Sequence, residues 1–347
     1  MMALLPTMAM SLASSFGTTR TMTDAIHRSI ELHPLETAII DTPEFQRLRG
    51  VSQLGACRWV YPGAVHDRFQ HSLGVAHLAR TWTEHFQRSQ PELLITDADV
   101  LCVTLAGLLH DLGHGPLSHF WEGVFLPLAA SKHGGGAVVE HEELSCALIE
   151  RMLARNDIDA SAWLEPEDWQ FVKALICGGP PAAFTTGAAD DGEKEEEEVA
   201  AARRVLRLGE KGVVGSDKRF LYEVVANGRS GFDVDKLDYF ERDCHFAGVV
   251  KVSFDRPRLM AQARVALACD EGEGGSTYGG GDGDARRRDD ESGKSGRSGQ
   301  LQICWPVKCL YELLQVFQTR FHLHSELYQH RVTAAVTLML ADALVNE

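Results

Sequence analysis

The stretch Leu108-Leu109-His110-Asp111-Leu112-Gly113-His114-Gly115-Pro116-Leu117-Ser118-His119 contains three histidines and one aspartate within ten residues. It follows an apolar run over residues 100–109, which predicts a buried helix that Gly113, Gly115 and Pro116 then end. Buried imidazole and carboxylate groups are costly to desolvate unless a partner compensates them, and a metal ion or a polyanionic substrate would do so. A helix end with incidental histidines is the alternative. The pattern favours a metal-assisted hydrolytic site.

Composition is that of an ordinary globular protein. The 347 residues can bury a substantial core, and 44% of them are hydrophobic and 24% charged. No run of about 18 apolar residues occurs, so no transmembrane helix is expected. The eight cysteines are scattered without a Cys-x-x-Cys pair, which argues against a structural zinc site or a disulfide framework and predicts a reducing, intracellular setting.

The net charge of −15 is concentrated in two segments. Residues 187–200 contain seven acids and one lysine, and residues 270–300 contain eight acids and five bases. This acidity neither requires nor excludes a basic pocket elsewhere in the chain. Nucleic-acid binding is not indicated, because no basic, aromatic-rich stretch occurs.

The same composition predicts the domain organisation. Residues 1–22 are expected to form a disordered tail, because residues 1–19 carry no charged side chain and a transit peptide usually carries several arginines. Residues 23–347 are expected to form one domain, with low-complexity surface inserts at about 178–217 and 270–300. The expected location is the nucleus or the cytoplasm, and an organellar targeting role for residues 1–20 stays open.

Apolar periodicity predicts a mostly α fold. Helices are expected over residues 35–40, 45–54, 66–86, 97–111, 220–227, 307–321 and 326–344, with a further helix beginning at His141. The segment Asp41-Thr42-Pro43-Glu44 is a helix-start signal. Helical spacing predicts one buried face that contains His71, Val75, Leu78 and Trp82. A histidine on such a face is usually satisfied within the core, but the second histidine cluster downstream favours a ligand.

Four ligand-type residues come from three separate segments: His71, His110, Asp111 and Asp235. Two imidazoles and two carboxylates suit a divalent ion such as Zn, Fe, Mn or Ni and leave positions open for water or substrate. Nearby proton donors or anion-holding groups could be His114, His119 and His141, and phosphate-holding groups could be Arg68, Lys236 and Tyr239. A divalent ion that activates water beside an acid is what phosphoester hydrolysis needs.

An ordered set of motifs resembles the metal-dependent HD-domain phosphohydrolases, and within them the SAM- and HD-domain-containing deoxynucleoside triphosphate triphosphohydrolases. The resemblance runs from about Asp24 to Leu344. It is carried by Ile30-Glu-Leu-His-Pro34, Ile40-Asp-Thr-Pro-Glu-Phe-Gln-Arg-Leu-Arg49, Arg68-Phe-Gln-His-Ser-Leu-Gly-Val75, His110-Asp-Leu-Gly-His-Gly-Pro-Leu-Ser-His119, Gly231 to His245, and Tyr328-Gln-His330. It implies a helical HD fold and hydrolysis of a deoxynucleoside triphosphate (dNTP) to a deoxynucleoside and inorganic triphosphate.

The resemblance also implies roles for individual residues. The metal ligands would be His71, His110, Asp111 and Asp235, holding Zn, Fe, Mn or Mg. His141 matches a catalytic residue, His119 matches the proton donor to the departing 5′-oxygen, and Glu122 stands where the family has aspartate. Positions that match substrate contacts are Gln53, Leu54, Arg68, His114, Lys236, Tyr239, Asp243, Arg320, Tyr328 and Gln329, of which Leu54 would crowd the 2′ position and exclude ribonucleotides.

Family members of this type form tetramers when GTP or dGTP and a dNTP occupy allosteric sites. The resemblance therefore implies these nucleotides as activators and a homo-oligomer, either dimer or tetramer. Positions that match the guanine site are Arg20, Asp41, Gln46 and Arg49, with Arg20 in place of a usual lysine. Positions that match the second nucleotide site are Thr23, Val60, Arg258, Lys308, His330 and Arg331. Pro306 replaces an arginine there, which removes a phosphate contact.

Two further departures concern the ends of the chain. No SAM domain precedes the HD region, and Glu347 falls before the family's C-terminal lobe. We therefore expect a fragment or a short member with complete catalytic residues and altered regulation. Two alternatives stay open: another HD phosphohydrolase acting on nucleoside monophosphates or phosphodiesters, and a non-catalytic module that binds nucleotides or single-stranded nucleic acid. The complete ligand set favours catalysis over the module.

Overall fold

The computed structural model describes residues 19–134, 138–179, 200, 202–208, 217–267 and 300–346. Helices predominate over these residues, which confirms the predicted mostly α fold. The helices are α1 (Pro34–Ile40), α2 (Pro43–Gln46), α3 (Arg68–Ser89), α4 (Asp97–Leu109), α5 (Leu126–His133), α6 (His141–Arg155), α7 (Asp168–Ile176), α8 (Tyr222–Val225), α9 (Val234–Ala247), α10 (Arg256–Gln262), α11 (Leu310–Leu323) and α12 (Arg331–Asn346). In the described residues, two small antiparallel sheets accompany them, one formed by the hairpin of β1 (Arg20–Asp24) and β2 (Arg28–Leu32) and one by β3 (Arg264–Leu267) paired with β4 (Leu301–Cys304).

Helix α3 packs against both α4 and α9. Its predicted apolar face is confirmed, because the structure buries all four of its members: His71, Val75, Leu78 and Trp82. Burying each large apolar side chain contributes roughly 1.5–3 kcal/mol. His71 is the polar member of this stripe, so its ring nitrogens need partners inside the protein.

Helix α4 brings the His-Asp pair to the same region. Thr96 caps its first turn and forms a capping box with Asp99, and residues 100–109 are all buried. The helix ends at Leu109 with His110 as its C-cap, two residues earlier than predicted. The pair therefore lies at a buried helix end, as the glycines after it indicate.

The N-terminal region differs from its prediction in two places. Arg20–Asp24 form β1, so the predicted tail over residues 1–22 is wrong for its last residues, while residues 1–18 lie outside the described part of the chain. The hairpin buries one face over only a few residues, which is too short an alternation to predict a strand. The helix predicted over 45–54 is the short α2, capped by Thr42, followed by two 3₁₀ turns, Arg47–Gly50 and Gly55–Trp59.

The predicted insert over 178–217 is wrong for part of its length. Leu206 and Leu208 are buried, and Arg207 lies 3.1 Å from Asp99 and 2.5 Å from Asp168. This segment therefore belongs to the packed fold, because it covers the first turns of α4 and α7. Residues 180–199, 201, 209–216 and 268–299, which hold most of both predicted inserts, lie outside the described residues.

The C-terminal helices are close to their predicted ranges. A 3₁₀ turn, Val307–Cys309, leads into α11, and a π-helical turn, His324–Tyr328, connects α11 toward α12. Over the described residues, no helix combines the length and the apolar character that a membrane crossing requires.

Candidate active site

The four predicted metal ligands meet where α3, the end of α4 and the first turn of α9 come together. Ligand atoms of His71, His110 and Asp111 lie within 4.8 Å of one another. The Oδ1 atom of Asp235 is 2.9 Å from His71 Nε2 and 3.6 Å from His110 Nε2. Three segments that are distant in sequence thus bring two imidazoles and two carboxylates to one point.

Hydrogen bonds show which ring nitrogens face that point. His110 Nδ1 donates to the Gly107 carbonyl at 2.8 Å, since a carbonyl oxygen can only accept. His71 Nδ1 donates to Asp238 Oδ2 at 2.7 Å. Both Nε2 atoms therefore turn toward the same space, and His110 Nε2 is buried without a hydrogen-bond partner among the described residues. A divalent ion fits this donor set, because it would satisfy that nitrogen and balance the two carboxylates.

Buried charges around these ligands shift their pKa values. Burial alone would raise the pKa of Asp111, but the guanidinium of Arg68, which donates from Nη1 to Asp111 Oδ2 at 2.6 Å, and the neighbouring imidazoles hold that pKa well below its usual range. Burial likewise disfavours a charged His71, yet hydrogen bonds to Asp235 and Asp238 raise the pKa of His71 to about 10. A cation bound to these carboxylates would replace that proton, since metal ligation requires a neutral imidazole.

A second cluster adjoins the first and contains His114, His119, Glu122 and His141. The rings of His114 and His141 stack with their centroids 3.9 Å apart. The Glu122 carboxylate lies 2.7 Å from His119 Nδ1 and 3.1 Å from His141 Nδ1. The His141 Nε2 atom is 4.0 Å from Asp111 Oδ1, so the two clusters share one boundary.

The three histidines of this cluster differ in their surroundings and in their exposure to solvent. Burial and the Arg68 cation lower the pKa of His114 to about 3, which leaves its ring neutral at pH 7. Burial opposes a charged His141, but Glu122 and Asp111 raise the pKa of His141. The His119 side chain is 68% exposed, so it is the member that a substrate reaches most readily.

The turn before His119 has an unusual backbone. Leu117 and Ser118 both have left-handed φ angles, 63° and 58°, which residues other than glycine rarely adopt. The Ser118 hydroxyl accepts from Arg68 Nε at 2.8 Å and donates to the Ser52 carbonyl at 2.7 Å. These bonds hold the turn and present His119 to the cavity.

A cavity of about 850 Å³ opens over both clusters. From the two clusters its wall includes His110, Asp111, Asp235, His119 and His141. It also includes most of the predicted substrate residues: Gln53, Leu54, Arg68, Lys236, Tyr239, Asp243 and Tyr328. At one side Asp243 accepts from His66 Nε2 at 2.7 Å and from the Tyr328 hydroxyl at 2.5 Å. Residues predicted from four separate segments therefore surround one space large enough for a small-molecule ligand.

Comparison with known proteins agrees with this geometry. Residues 68–203 match the HD domain. The chain contains an HD domain. The deoxynucleoside triphosphate triphosphohydrolase SAMHD1 of Xenopus laevis is 37% identical over 327 residues, which are 93% of this chain and 44% of that protein. The Gallus gallus protein of the same name is 38% identical over 324 residues, 92% of this chain and 44% of that protein.

A more distant relative is the Dictyostelium discoideum deoxynucleoside triphosphate triphosphohydrolase SAMHD1 homolog. It is 32% identical over 333 residues, which are 96% of this chain and 50% of that protein. The resemblance inferred from the sequence motifs is confirmed. The chain spans about half the length of the curated relatives it matches.

Three of the predicted substrate residues are not among the described residues that line the cavity. His114 is buried and packs against His141, which places it behind the wall. Arg320 and Gln329 are exposed on and after α11. Their predicted roles are not tested by this arrangement.

The predicted guanine positions precede the matched HD domain in sequence and form two hydrogen-bonded pairs. Arg20 Nη1 donates to Asp41 Oδ1 at 2.8 Å, and Arg49 Nε donates to Gln46 Oε1 at 2.8 Å. The positions predicted for the second nucleotide are spread over several elements: Thr23, Val60, Arg258, Lys308, His330 and Arg331. Within that set, Arg258 pairs with Glu312. Pro306, where the family has arginine, precedes the Val307–Cys309 turn.

Several structurally important residues of the site were not predicted. Arg47 donates to the carbonyls of His114 at 2.7 Å and Leu112 at 2.5 Å, which holds the loop after the His-Asp pair. The Ser145 hydroxyl donates to the His110 carbonyl at 2.7 Å and accepts from the Gly113 amide at 2.8 Å. Asp238, which orients His71, lies three residues after Asp235. The sequence signal for Asp238 is its i, i+3 spacing from Asp235, which places both on one side of a helix.

Gly113 lets the loop approach α6 closely, and an alanine there should disturb the site. An added Cβ would lie 2.2 Å from the His141 carbonyl oxygen and 2.6 Å from the Ser145 amide. We expect Gly113→Ala to lower the free energy of unfolding by about 1–3 kcal/mol, as in overpacked cores. We also expect turnover to fall by about a hundredfold through displacement of His141.

Denaturant titration and initial rates measure both effects. The matched control is Gly123→Ala, where an added Cβ meets no atom within 4 Å. Equal losses in the two variants would contradict the role of close approach at Gly113.

Proposed function

We propose that this HD-domain protein hydrolyses deoxynucleoside triphosphates to a deoxynucleoside and inorganic triphosphate with the help of a divalent ion. The observation that carries the proposal is the convergence of two imidazole Nε2 atoms and two carboxylates at one point, where His110, Asp111 and Asp235 line the large cavity and His71 lies buried behind them. Arg68 contacts Asp111 of that donor set, and His119 lines the same cavity. Similarity to the SAMHD1 relatives, which are deoxynucleoside triphosphate triphosphohydrolases, supports the substrate class.

The side chains would divide the work by position. His71, His110, Asp111 and Asp235 would hold the ion, which supplies Lewis acidity at a phosphoryl oxygen and lowers the pKa of water. Arg68 and Lys236 are the cations of the cavity wall assigned to the phosphates. Lys236 Nζ is 2.8 Å from Asp233 Oδ2, which keeps this cation near the first turn of α9.

Proton transfer is assigned to the second cluster. The bond that breaks joins the α-phosphorus to the 5′-oxygen, the water oxygen bonds to phosphorus and gives up a proton, and the departing oxygen takes up a proton. His119 is the exposed donor, and Glu122 accepts its Nδ1–H so that Nε2 faces the cavity. His141 stacks on neutral His114 and shares Glu122, which suits a group that holds a proton near the reacting phosphate.

Regulation by nucleotides and by assembly belongs to the same proposal. The side chains of the four positions form two hydrogen-bonded pairs, Arg20 with Asp41 and Arg49 with Gln46, and carboxylate and guanidinium groups suit recognition of a guanine and its phosphates. GTP or dGTP is the proposed ligand there, with a dNTP at the second set of positions. A homo-oligomer would complete these sites.

Product analysis tests the activity directly. Purified protein with Mn²⁺ or Mg²⁺ is expected to convert dGTP or dATP to deoxynucleoside and triphosphate, and GTP is expected to raise the rate. Chromatography of a dNTP panel with and without GTP, beside metal analysis, measures this. Release of a monophosphate and pyrophosphate would contradict the proposed bond cleavage.

One observation favours a second candidate function. The ligand atoms of His114, His119, Glu122 and His141 also lie within 4.8 Å of one another, and two adjacent ions are common in phosphodiesterases and phosphatases. A second HD phosphohydrolase activity, on nucleoside monophosphates or phosphodiesters, would use both clusters as ion sites. Two ions per chain together with phosphate release from a nucleoside monophosphate, and no triphosphate from any dNTP, would favour it.

A further inference from the structure

The carboxylate of Asp238 is fully buried behind the proposed ion site. Its side chain has no exposed area. Because a carboxylate only accepts, all its partners donate to it: His71 Nδ1 at 2.7 Å, His27 Nε2 at 2.6 Å, and Arg242 Nε and Nη2 at 2.8 and 2.9 Å. The bond to His71 fixes the tautomer whose Nε2 faces the ion.

The same network continues to the N-terminal hairpin. Arg242 has no exposed side-chain area and donates from Nη1 and Nη2 to Asp24 at 2.9 and 3.3 Å. Asp24 Oδ1 in turn accepts the amides of Ile26 and His27, each at 2.9 Å, in the turn between β1 and β2. His27 then returns to Asp238. A closed ring of buried hydrogen bonds therefore connects this turn to His71.

Helix α3 has a glycine, Gly74, at the point where Asp238 and Arg242 of this hydrogen-bond ring lie against it. A Cβ on Gly74 would lie 1.9 Å from Asp238 Oδ1 and 2.5 Å from Arg242 Nη2. A glycine inside a helix is about 1 kcal/mol less favourable than alanine. Here it leaves the space in which the Asp238–Arg242 pair lies against the helix backbone, one turn from His71.

We propose that Asp238 is a positioning residue for His71 and that, through Arg242, Asp24 and His27, it couples the seating of the β1–β2 hairpin to ion binding. The proposal rests on the proposed function only in taking His71 as an ion ligand. Coupling between two sites is reciprocal, so an ion should also stabilise the hairpin.

Mn²⁺ binding to the full chain, measured by the paramagnetic signal of free Mn²⁺, tests the positioning role. Asp238→Asn is expected to weaken Mn²⁺ about 10–100-fold, the usual effect of removing such an outer partner. His27→Ala keeps the His71–Asp238 bond and should weaken it less. Unchanged Mn²⁺ affinity in Asp238→Asn would overturn the positioning role. If Asp238→Asn does not fold, His27→Ala still tests the route to the hairpin, because an unchanged Mn²⁺ affinity in that variant would overturn the coupling.

The matched control is Asp99→Asn. Asp99 is 1% exposed and lies between Lys218 and Arg207, so it is an equally buried carboxylate in an ion-pair network. It is 11 residues from His110 along α4, roughly 16 Å in a helix. We expect a lower melting temperature with unchanged Mn²⁺ affinity. Equal weakening of Mn²⁺ by Asp99→Asn and Asp238→Asn would show a general loss of stability and overturn the positioning role.

Hydrogen exchange tests the coupling. Saturating Mn²⁺ is expected to slow exchange of the amides of residues 20–32 in the wild-type chain, and this slowing should be lost in His27→Ala. An unchanged rate of amide exchange in the hairpin of the wild-type chain on addition of Mn²⁺ would overturn the coupling. A wild-type chain that binds no Mn²⁺ would overturn it as well. A chain that binds Mn²⁺ with this coupling but releases no triphosphate would refute the proposed function alone.

Discussion

A His110→Ala variant is expected to lose bound divalent ion and to hydrolyse dNTPs at least about 10³-fold more slowly than the wild-type chain. His110 Nε2 is buried without a partner among the described residues and faces the carboxylates of Asp111 and Asp235. Removing it deletes one of two nitrogen ligands. A catalytic ion contributes several kcal/mol to the transition state, and about 4 kcal/mol corresponds to a factor of about 10³.

The measurement pairs metal content per chain with initial rates of triphosphate release. His85→Ala is the matched control, because the His85 ring is half-buried and also contacts a backbone carbonyl, that of Ala263 at 3.3 Å. It should keep both ion and activity. Full activity in His110→Ala would contradict the ion-dependent mechanism, whereas loss of ion with unchanged nucleotide binding would match its assigned role.

Local sequence patterns were enough to predict the two helices, α3 and α4, that position His71 and the His110–Asp111 pair. The α3 stripe follows from helical spacing, and its burial forces a partner on His71. The α4 helix end follows from an apolar run that meets Gly113. Both signals are contained in about a dozen consecutive residues, so no knowledge of the tertiary fold is needed to read them.

Other parts of the site depend on contacts that no local pattern contains. Asp238 lies in the same charged segment as Asp235, and its importance follows from the distant His27 and His71 that donate to it. The β1–β2 hairpin has too short an alternation to be distinguished from a tail. Leu206 and Leu208 follow an acidic run whose composition predicts a surface loop, yet both are buried.

The resemblance to a known family supplied residue roles that the residues themselves did not specify. It placed Gln53, Asp243 and Tyr328 at the substrate, and all three lie in the wall of one cavity. It placed Arg320 there as well, and because this side chain is exposed and is not among the described residues that line the cavity, its role stays a prediction. Motif matching transfers a position along the chain, whereas the orientation of a side chain depends on the packing around it.

A His119→Ala variant is expected to slow turnover by about 10²–10⁴-fold, the usual contribution of a positioned acid, while bound metal stays nearly unchanged. The His119 side chain is 68% exposed, and its Nδ1 is tied to Glu122 at 2.7 Å. It lies outside the group formed by His71, His110 and Asp111. The two histidine clusters can therefore be separated by experiment, since one variant should change metal content and the other should not.

A substrate whose leaving group needs no proton makes this test specific for acid catalysis. On p-nitrophenyl triphosphate the departing phenolate is already stable, so a chain lacking only the proton donor should lose much less activity than it loses on dGTP. His110→Ala should be slow on both substrates, because a bound ion would act at the phosphoryl group, and only the leaving group differs between the two substrates. Loss of metal in His119→Ala, or equal losses of its activity on the two substrates, would place His119 among the ion ligands or the phosphate contacts instead, and the second cluster would then be better described as an ion site.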